Sequence, residues 1–414
     1  MRIAIVGGGA SGLITAYLLR RVHEVHLYER EPILGGNVRT LNGNVQGAPL
    51  DRHAVVENGV VLFNQARQPL FLKLLEQLRV EAYVNTIGSG VFLADGRCWQ
   101  IPCGDALRPR RLQALWGIRR ALSHIGLPML VFLARTGSLR KAPLAGKPFS
   151  HFLTSRPTLF NVWMKALGMG VFSTPYPRMA DFPAEIAVPW MRTCMLHPRW
   201  HVIKDGTYAY MAKILSLLEG KVSVDAEVVR VAREQAGAQI GLVTGETRAY
   251  DKVVFATTPE QVLRLLADPT DSEKRRFGAW QEHRAKTVAH TDTTFYQSWR
   301  AKQYVESDFF QKRPGDDYGY NCCMNRCRRI PPPVYYSYAY NMEEFIRPDR
   351  IIDAREHRTP GYTLEAVSRR REVIDTNGEN HTYHAGAYLG DGTHEGAAQS
   401  AGRVSRLLGG ATIG

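Results

Sequence analysis

A short apolar, β-branched run, Arg2–Val6 (RIAIV), passes without a break into Gly7-Gly8-Gly9-Ala10-Ser11-Gly12, and this junction constrains the fold more than any other stretch. Such a run reads as a buried parallel strand. The glycines follow G-x-G-x-x-G, Leu13–Arg21 then reads as a helix, and Glu24–Tyr28 (EVHLY) as a second strand ending at Glu29. In a βαβ unit of this kind Gly7 permits the tight turn, Gly9 lets backbone approach a pyrophosphate, and Gly12 lets helix and strand pack closely. Ala10 and Ser11 complete this glycine turn, which leads to a helix N-terminus whose free N–H groups and dipole favour negative charge. Glu29 lies 17 positions after Gly12, where a carboxylate at the strand tip accepts both ribose hydroxyls. Strand, glycines, helix, strand and acid in this order predict a dinucleotide site, with Arg30 beside it.

The rest of the composition bounds the partners. With 414 residues the chain has room for two domains, each with its own core. A surplus of 53 Lys+Arg over 39 Asp+Glu, +14 in all, favours anionic partners. The basic clusters Arg108-Pro109-Arg110-Arg111, Arg119-Arg120, Arg326-Arg328-Arg329 and Arg369-Arg370-Arg371 contain no nucleic-acid module, so no nucleic acid is expected. They read as a solvated basic surface, with contact to an anionic membrane as the sharper alternative. Six cysteines are too few for a disulfide framework. Cys322, Cys323 and Cys327 lack the second ligand pair of a zinc site, and no metal is expected. The first strand leaves no room for a leader before it, so the expected location is cytoplasmic, with peripheral attachment to the inner membrane face kept open. The run Ile125–Ala134 (IGLPMLVFLA) is half the length of a spanning helix and contains Pro128. It reads as a buried helix, a shallow membrane patch or a wall of an apolar substrate tunnel.

The residues after the acid identify the dinucleotide. Gly35-Gly36-Asn37-Val38-Arg39-Thr40 resembles the GG-R-x-x-S/T segment of FAD proteins in the flavin amine-oxidase superfamily, which includes protoporphyrinogen oxidases and phytoene desaturases. The resemblance implies that Gly35, Gly36 and Asn37 extend the diphosphate and flavin contacts. Asn37 replaces the usual Arg, which passes the basic contact to Arg39. Val222–Val231 (VSVDAEVVRV) is similar to the strand that meets the adenine, with Val228 at the matching position, and Tyr250–Pro259 to the strand that returns to the nucleotide domain. Ala385–Ala401 (AGAYLGDGTHEGAAQSA) resembles the superfamily's closing motif, a Gly-rich loop past the flavin with a helix starting beneath the ring. There Gly386, Gly390, Gly392, Glu395 and Gly396 carry the likeness, and a helix N-terminus would stabilise negative charge on the reduced ring. His290-Thr291-Asp292, Tyr335–Met342, His357–Thr363 and His394-Glu395 look like one bacterial branch, the predicted NAD/FAD-binding proteins.

The resemblance implies an α/β fold: a Rossmann-like FAD-binding domain (1–60, 205–270 and 375–414) interleaved with an α+β substrate domain (61–204 and 271–374). Six tyrosines between Tyr318 and Tyr340, with Tyr336, Tyr338 and Tyr340 alternating, suit an aromatic wall or a plain aromatic core. In amine oxidases a substrate-domain lysine holds a water at flavin N5, and Lys286, in Arg284–His290, matches that segment's place. Thr393 stands where amine oxidases place an aromatic cage residue, and His394 beside it is a candidate base or helix cap. The expected function is FAD-dependent oxidation of a small hydrophobic lipid, isoprenoid or secondary metabolite by hydride transfer. NAD(P)H as reductant, an amine oxidase, a redox-neutral enzyme resembling UDP-galactopyranose mutase and a non-enzymatic FAD scaffold remain the alternatives.

Overall fold

The computed structural model describes residues 1–101, 112–137, 142–155, 158–197, 199–299 and 305–414. The cluster Arg108–Arg111 lies outside these residues, as do the side chains of Arg119 and Arg120.

The N-terminal run forms the middle of a five-stranded parallel sheet. Its order is Thr382–His384, Lys252–Phe255, Arg2–Val6, Glu24–Tyr28, Val222–Ser223. Val6 pairs with both Tyr28 and Phe255, so the C-terminal ends of the central strands share one edge, where open α/β sheets bind ligands. The first helix, Ala10–Leu19, and the last, His394–Leu407, pack together through Leu13, Ile14, Ala398, Ala401 and Val404. The two ends of the chain thus close one domain.

Val222–Val231, expected as one strand, is two. Val222–Ser223 edges the parallel sheet, whereas Val228–Glu234 opens an antiparallel meander with Gly237–Leu242 and Thr247–Tyr250. Asp225 between them takes φ +49°, a left-handed turn that no continuous strand admits.

The second sheet is mixed and seven-stranded, ordered Ile351–Gly361, Gln281–His290, Ser337–Tyr340, Tyr318–Cys323, Ser307–Gln311, Ser89–Phe92, Cys98–Ile101. Side chains alternate across it. Val288, Phe310, Ala339 and Phe92 pack on one face against Phe295, Tyr296 and Trp299. Thr287, Ser307, Phe309, Tyr320, Tyr338 and Tyr340 face the other way into a large cavity. Tyr336 departs from the expected alternation: it precedes the strand, and its hydroxyl accepts the Asp51 N–H at 3.0 Å. Helices Leu159–Phe172 and Ala184–Leu196 roof the cavity with Trp163, Leu167, Val171 and Trp190.

Ile125–Ala134 belongs to the helix Leu112–Gly137. Ile125 and Phe132 are buried, while Leu127, Leu130 and Val131 face solvent at 73%, 61% and 40% exposure. None of the run lines the cavity, which removes the tunnel-wall reading. Among the described residues no helix is long and apolar enough to cross a membrane. Arg328, counted in a surface cluster from sequence, is buried against Glu57.

Candidate active site

One cavity of about 910 Å³ runs from the edge of the parallel sheet to the aromatic face of the seven-stranded sheet. Gly7, Gly9, Ala10, Ser11, Glu29, Arg30, Gly35, Gly36, Asn37, Arg39 and Val228 line its first half. Gly9 caps the first helix without a side-chain acceptor, which leaves the leading N–H groups to a ligand. The Gly36 loop lies against it so closely that a Cβ on Gly36 would fall 3.1 Å from the Gly9 Cα. The two turns therefore offer bare backbone to whatever lies between them.

Glu29 is held from behind. Its Oε2 accepts the Gly8 N–H at 2.7 Å and its Oε1 the Glu31 N–H at 3.0 Å. Each oxygen keeps lone pairs for a ribose hydroxyl. Glu29→Ala should therefore weaken FAD binding by about 1–3 kcal/mol, since it strips charge-assisted hydrogen bonds and leaves Gly8 without its acceptor. Flavin occupancy equal to wild type after dialysis would remove Glu29 from the site.

Arg39 provides positive charge along the same groove. Its Nη1 donates to the Val38 carbonyl at 3.0 Å, and it meets no carboxylate within ion-pair distance among the described residues. Burial and then the Arg355 guanidinium hold its pKa below the usual value. Two cations facing one groove favour an anion between them, which a diphosphate supplies.

The closing loop forms the wall opposite. Strand Thr382–His384 delivers Gly386, Ala387, Tyr388 and Gly392 to the cavity before helix His394–Leu407 begins. Asp391 pins this loop, and sequence reading passed over it. Its Oδ1 accepts from the Thr393 N–H (3.1 Å), Thr393 Oγ1 (2.8 Å) and the Gly396 N–H (3.2 Å), and its Oδ2 from Trp190 Nε1 (3.1 Å). A small acid just before a helix, in D-G-T-H-E, was the available signal.

Several expected contacts belong to the scaffold instead of the cavity. Gly390 and Gly396 pack on each other, with a Cβ on Gly390 only 2.4 Å from the Gly396 Cα. Gly12 packs on Gly7. Glu395 Oε2 accepts the Leu70 and Phe71 N–H groups, both at 3.0 Å, and so caps the helix Pro69–Gln77. Lys286 is the main correction. It faces solvent, its side chain 56% exposed and 3.6 Å from Glu343, because strand alternation turns it away from the cavity that Thr287 enters.

His394 does line the cavity. Phe63, Phe71 and Tyr210 surround its ring edge-on at 4.8–5.8 Å, and burial pushes its pKa down to about 4. Its Nε2 is buried and unpartnered, as are Thr257 Oγ1 and Tyr362 Oη in the same lining. Orphan polar atoms of this kind, spaced along one groove, fit a long ligand rich in hydrogen-bonding groups. The lining fits FAD on these grounds: free helix N–H groups and Arg39 for the diphosphate, Glu29 for a ribose, orphan polar atoms and glycine backbone for the ring.

Comparison with known proteins agrees with this chemistry. The sequence matches the flavin containing amine oxidoreductase family over residues 10–340. No curated protein matches the chain. Among solved structures, putrescine oxidase bound to putrescine is 14% identical, with TM-score 0.66 and 99% of each chain covered. A CLA-producing fatty acid isomerase from P. acnes is 17% identical (TM-score 0.66; 99% of this chain and 98% of that one), and cyclohexylamine oxidase from Brevibacterium oxydans 11% (TM-score 0.66; 99% of each). At such identities these likenesses establish the fold alone. The family match extends from the first helix through the aromatic strand Ser337–Tyr340, and the chain is an FAD-dependent oxidoreductase of the flavin-containing amine oxidoreductase family.

Proposed function

We propose that this enzyme takes hydride from an uncharged, largely apolar substrate of the lipid, isoprenoid or secondary-metabolite kind. One observation carries the reading: the charge in the lining is confined to one end. Every Asp, Glu, Lys and Arg there comes from residues 29–39, 227, 264 and 355–358. The other end is built from Ile87, Trp163, Leu167, Val171, Phe309, Tyr320 and Tyr338, with Ser89 and Ser307 as its small polar groups.

Such a pocket desolvates whatever enters it. An ammonium group placed there would meet no carboxylate, and an unpaired buried charge is costly. An apolar chain brings no charge to desolvate and gains about 25 cal/mol per Å² of buried surface. Bound FAD supplies the hydride acceptor. The chain's own residues orient the substrate between the roof helices and the sheet, and they keep water out. The fatty acid isomerase among the structural relatives is an enzyme of this fold whose named substrate is a lipid. Shallow peripheral contact with an anionic membrane belongs to the same reading, with Leu127, Leu130 and Val131 as the inserting residues.

The test is anaerobic. Holoenzyme is mixed with an unsaturated long-chain fatty acid, with an isoprenoid alcohol and with putrescine while the flavin absorbance is followed. Bleaching by a lipid and silence with putrescine is the expected pattern. Bleaching by putrescine with both lipids silent would overturn the reading in favour of amine oxidation.

A further inference from the structure

Removing a hydride from one carbon leaves a proton to be disposed of, and some group in the cavity has to take it. Chemistry sorts the candidates. Glu29, Glu31 and Glu227 stand at the nucleotide end, and Glu356 is half exposed and paired with Arg284. Lys286 points to solvent. His394 opens a helix whose N-terminal dipole opposes an imidazolium, and no side chain is hydrogen-bonded to it to share the charge.

Thr287 and His357 stand apart from these, and they are wired together. Both are buried in the cavity lining, on neighbouring antiparallel strands, with Thr287 Oγ1 2.8 Å from His357 Nε2. The Asn58 backbone also bears on the ring and favours its protonated form. In the neutral ring one nitrogen donates and the other accepts, and proton acceptance uses the tautomer in which Nδ1 carries the proton and Nε2 accepts. In that tautomer the Thr287 hydroxyl donates to Nε2, and its oxygen keeps lone pairs for a proton arriving from the cavity that Thr287 lines. His357 Cε1 also sits 3.5 Å from where a Cβ on Gly59 would be, and that same Cβ would fall 2.5 Å from the Asn37 carbonyl. The pair therefore adjoins the Gly35-Gly36-Asn37 turn of the cofactor groove, at the junction between its charged and aromatic halves.

We propose that Thr287 and His357 are the proton-accepting pair of this site, a role that rests on the hydride-removal reading above. In the step, one substrate C–H bond breaks with its electron pair leaving as hydride to FAD. A neighbouring C–H bond breaks and its electrons become the new π bond. The proton released goes to Thr287 Oγ1 as the hydroxyl passes its own to His357 Nε2, so the ring ends as an imidazolium. Around that ring stand Arg39, Asp353 and Arg355. Burial, followed by Arg39, holds His357 down at about 4, so the ring is unprotonated at neutral pH. A diphosphate held by Arg39 would offset that guanidinium and raise the proton affinity of the ring.

The experiment needs no substrate. The midpoint potential of the bound flavin is followed against pH with a viologen mediator, which counts protons taken up per two electrons. Near neutral pH wild type, Thr287→Ser and Lys286→Met should share one slope. His357→Gln removes the group that holds the proton, and Thr287→Val takes from the buried imidazolium Nε2–H its hydrogen-bond acceptor, so both should fall short of it by one proton, a tenfold change in the reduction equilibrium per pH unit. Slopes unchanged in Thr287→Val, or lost equally in Lys286→Met, would overturn the proposal. If His357→Gln loses its FAD, Thr287→Val decides alone, and loss of FAD from that variant too would assign the pair to the fold and overturn the proposal. Because no substrate is present, this result stands or falls separately from the preference for lipids over amines.

Discussion

Gly12→Ala should purify without FAD and with a lowered melting temperature. A Cβ at this position would lie 1.9 Å from the Gly7 carbonyl oxygen and 3.1 Å from its carbon. Both are backbone atoms, so no side-chain rotation relieves the clash; helix Ala10–Leu19 has to move off strand Arg2–Val6. That movement opens the turn whose N–H groups face the cavity. Overpacking alone costs about 1–3 kcal/mol, and a loss of about 1.4 kcal/mol in binding is tenfold in affinity. The neighbouring glycine gives the contrast. A Cβ on Gly9 meets nothing closer than 3.7 Å, from the Gly36 Cα, so Gly9→Ala should keep the melting temperature of the apoprotein while its methyl takes up space in the groove and weakens FAD. Flavin absorbance per protein and melting curves with and without added FAD separate the two. A Gly12→Ala protein that retains FAD like wild type would mean that this turn does not hold the dinucleotide.

The parts of the site legible in the sequence are those where backbone does the chemistry. Gly7, Gly9, Gly36 and the acid at position 29 line the cavity because a pyrophosphate groove needs particular residues at fixed spacings within a single βαβ unit. Local spacing carries that information. Side-chain sites assembled from strands far apart in the chain leave no such trace. Lys286 illustrates the loss: the segment was placed correctly near the site, yet a strand points successive residues to opposite faces, and the residue that enters the cavity is Thr287. Ala285, Thr287 and Ala289 against Lys286 was a readable alternation, since a small, uncharged set suits an interior face better than a lysine. The partner of Thr287 could not be read at all, because His357 lies 70 positions away and meets it through strand pairing. Glu395 failed for a different reason. Its motif was recognised, but a carboxylate next to a flavin loop and one capping Leu70 and Phe71 look alike in one dimension. Arg328 sat among other arginines and was read as surface, whereas it is buried in an ion pair with Glu57.

That contact yields the largest stability effect expected of a single side chain. Glu57 is fully buried, with Oε2 accepting from Thr40 Oγ1 at 2.7 Å and Oε1 from the Thr207 N–H at 2.7 Å and Arg328 Nη1 at 3.3 Å. Arg328 Nη2 donates in turn to the Ile203 and Lys204 carbonyls at 2.6 and 3.0 Å. One pair therefore joins the end of the Gly35–Thr40 cofactor turn, the chain returning after strand Arg199–Ile203, and the short helix Met324–Arg328. Arg328→Met keeps the bulk but leaves the buried carboxylate without its counter-charge, held by Thr40 and Thr207 alone, and takes one donor each from the Ile203 and Lys204 carbonyls. Breaking a buried pair from one side costs about 3–5 kcal/mol. Burial already pushes the Glu57 pKa up, with Arg328 as the main opposing influence, so the variant should raise it further. This sets the sign of the pH dependence. A carboxyl whose folded pKa lies above its unfolded one contributes stability that is intact below the unfolded value and is lost as pH rises through the folded one. The deficit of Arg328→Met should thus be largest at neutral and alkaline pH and shrink as pH falls through the raised folded value to the ordinary carboxylate range of the unfolded chain. Removing the charge should do the same at fixed pH: Glu57→Gln combined with Arg328→Met should be more stable than Arg328→Met alone. Chemical denaturation of the three proteins at two pH values measures both effects. An Arg328→Met protein within about 1 kcal/mol of wild type at neutral pH, a value typical of surface pairs, would show that this ion pair carries no more than an exposed one.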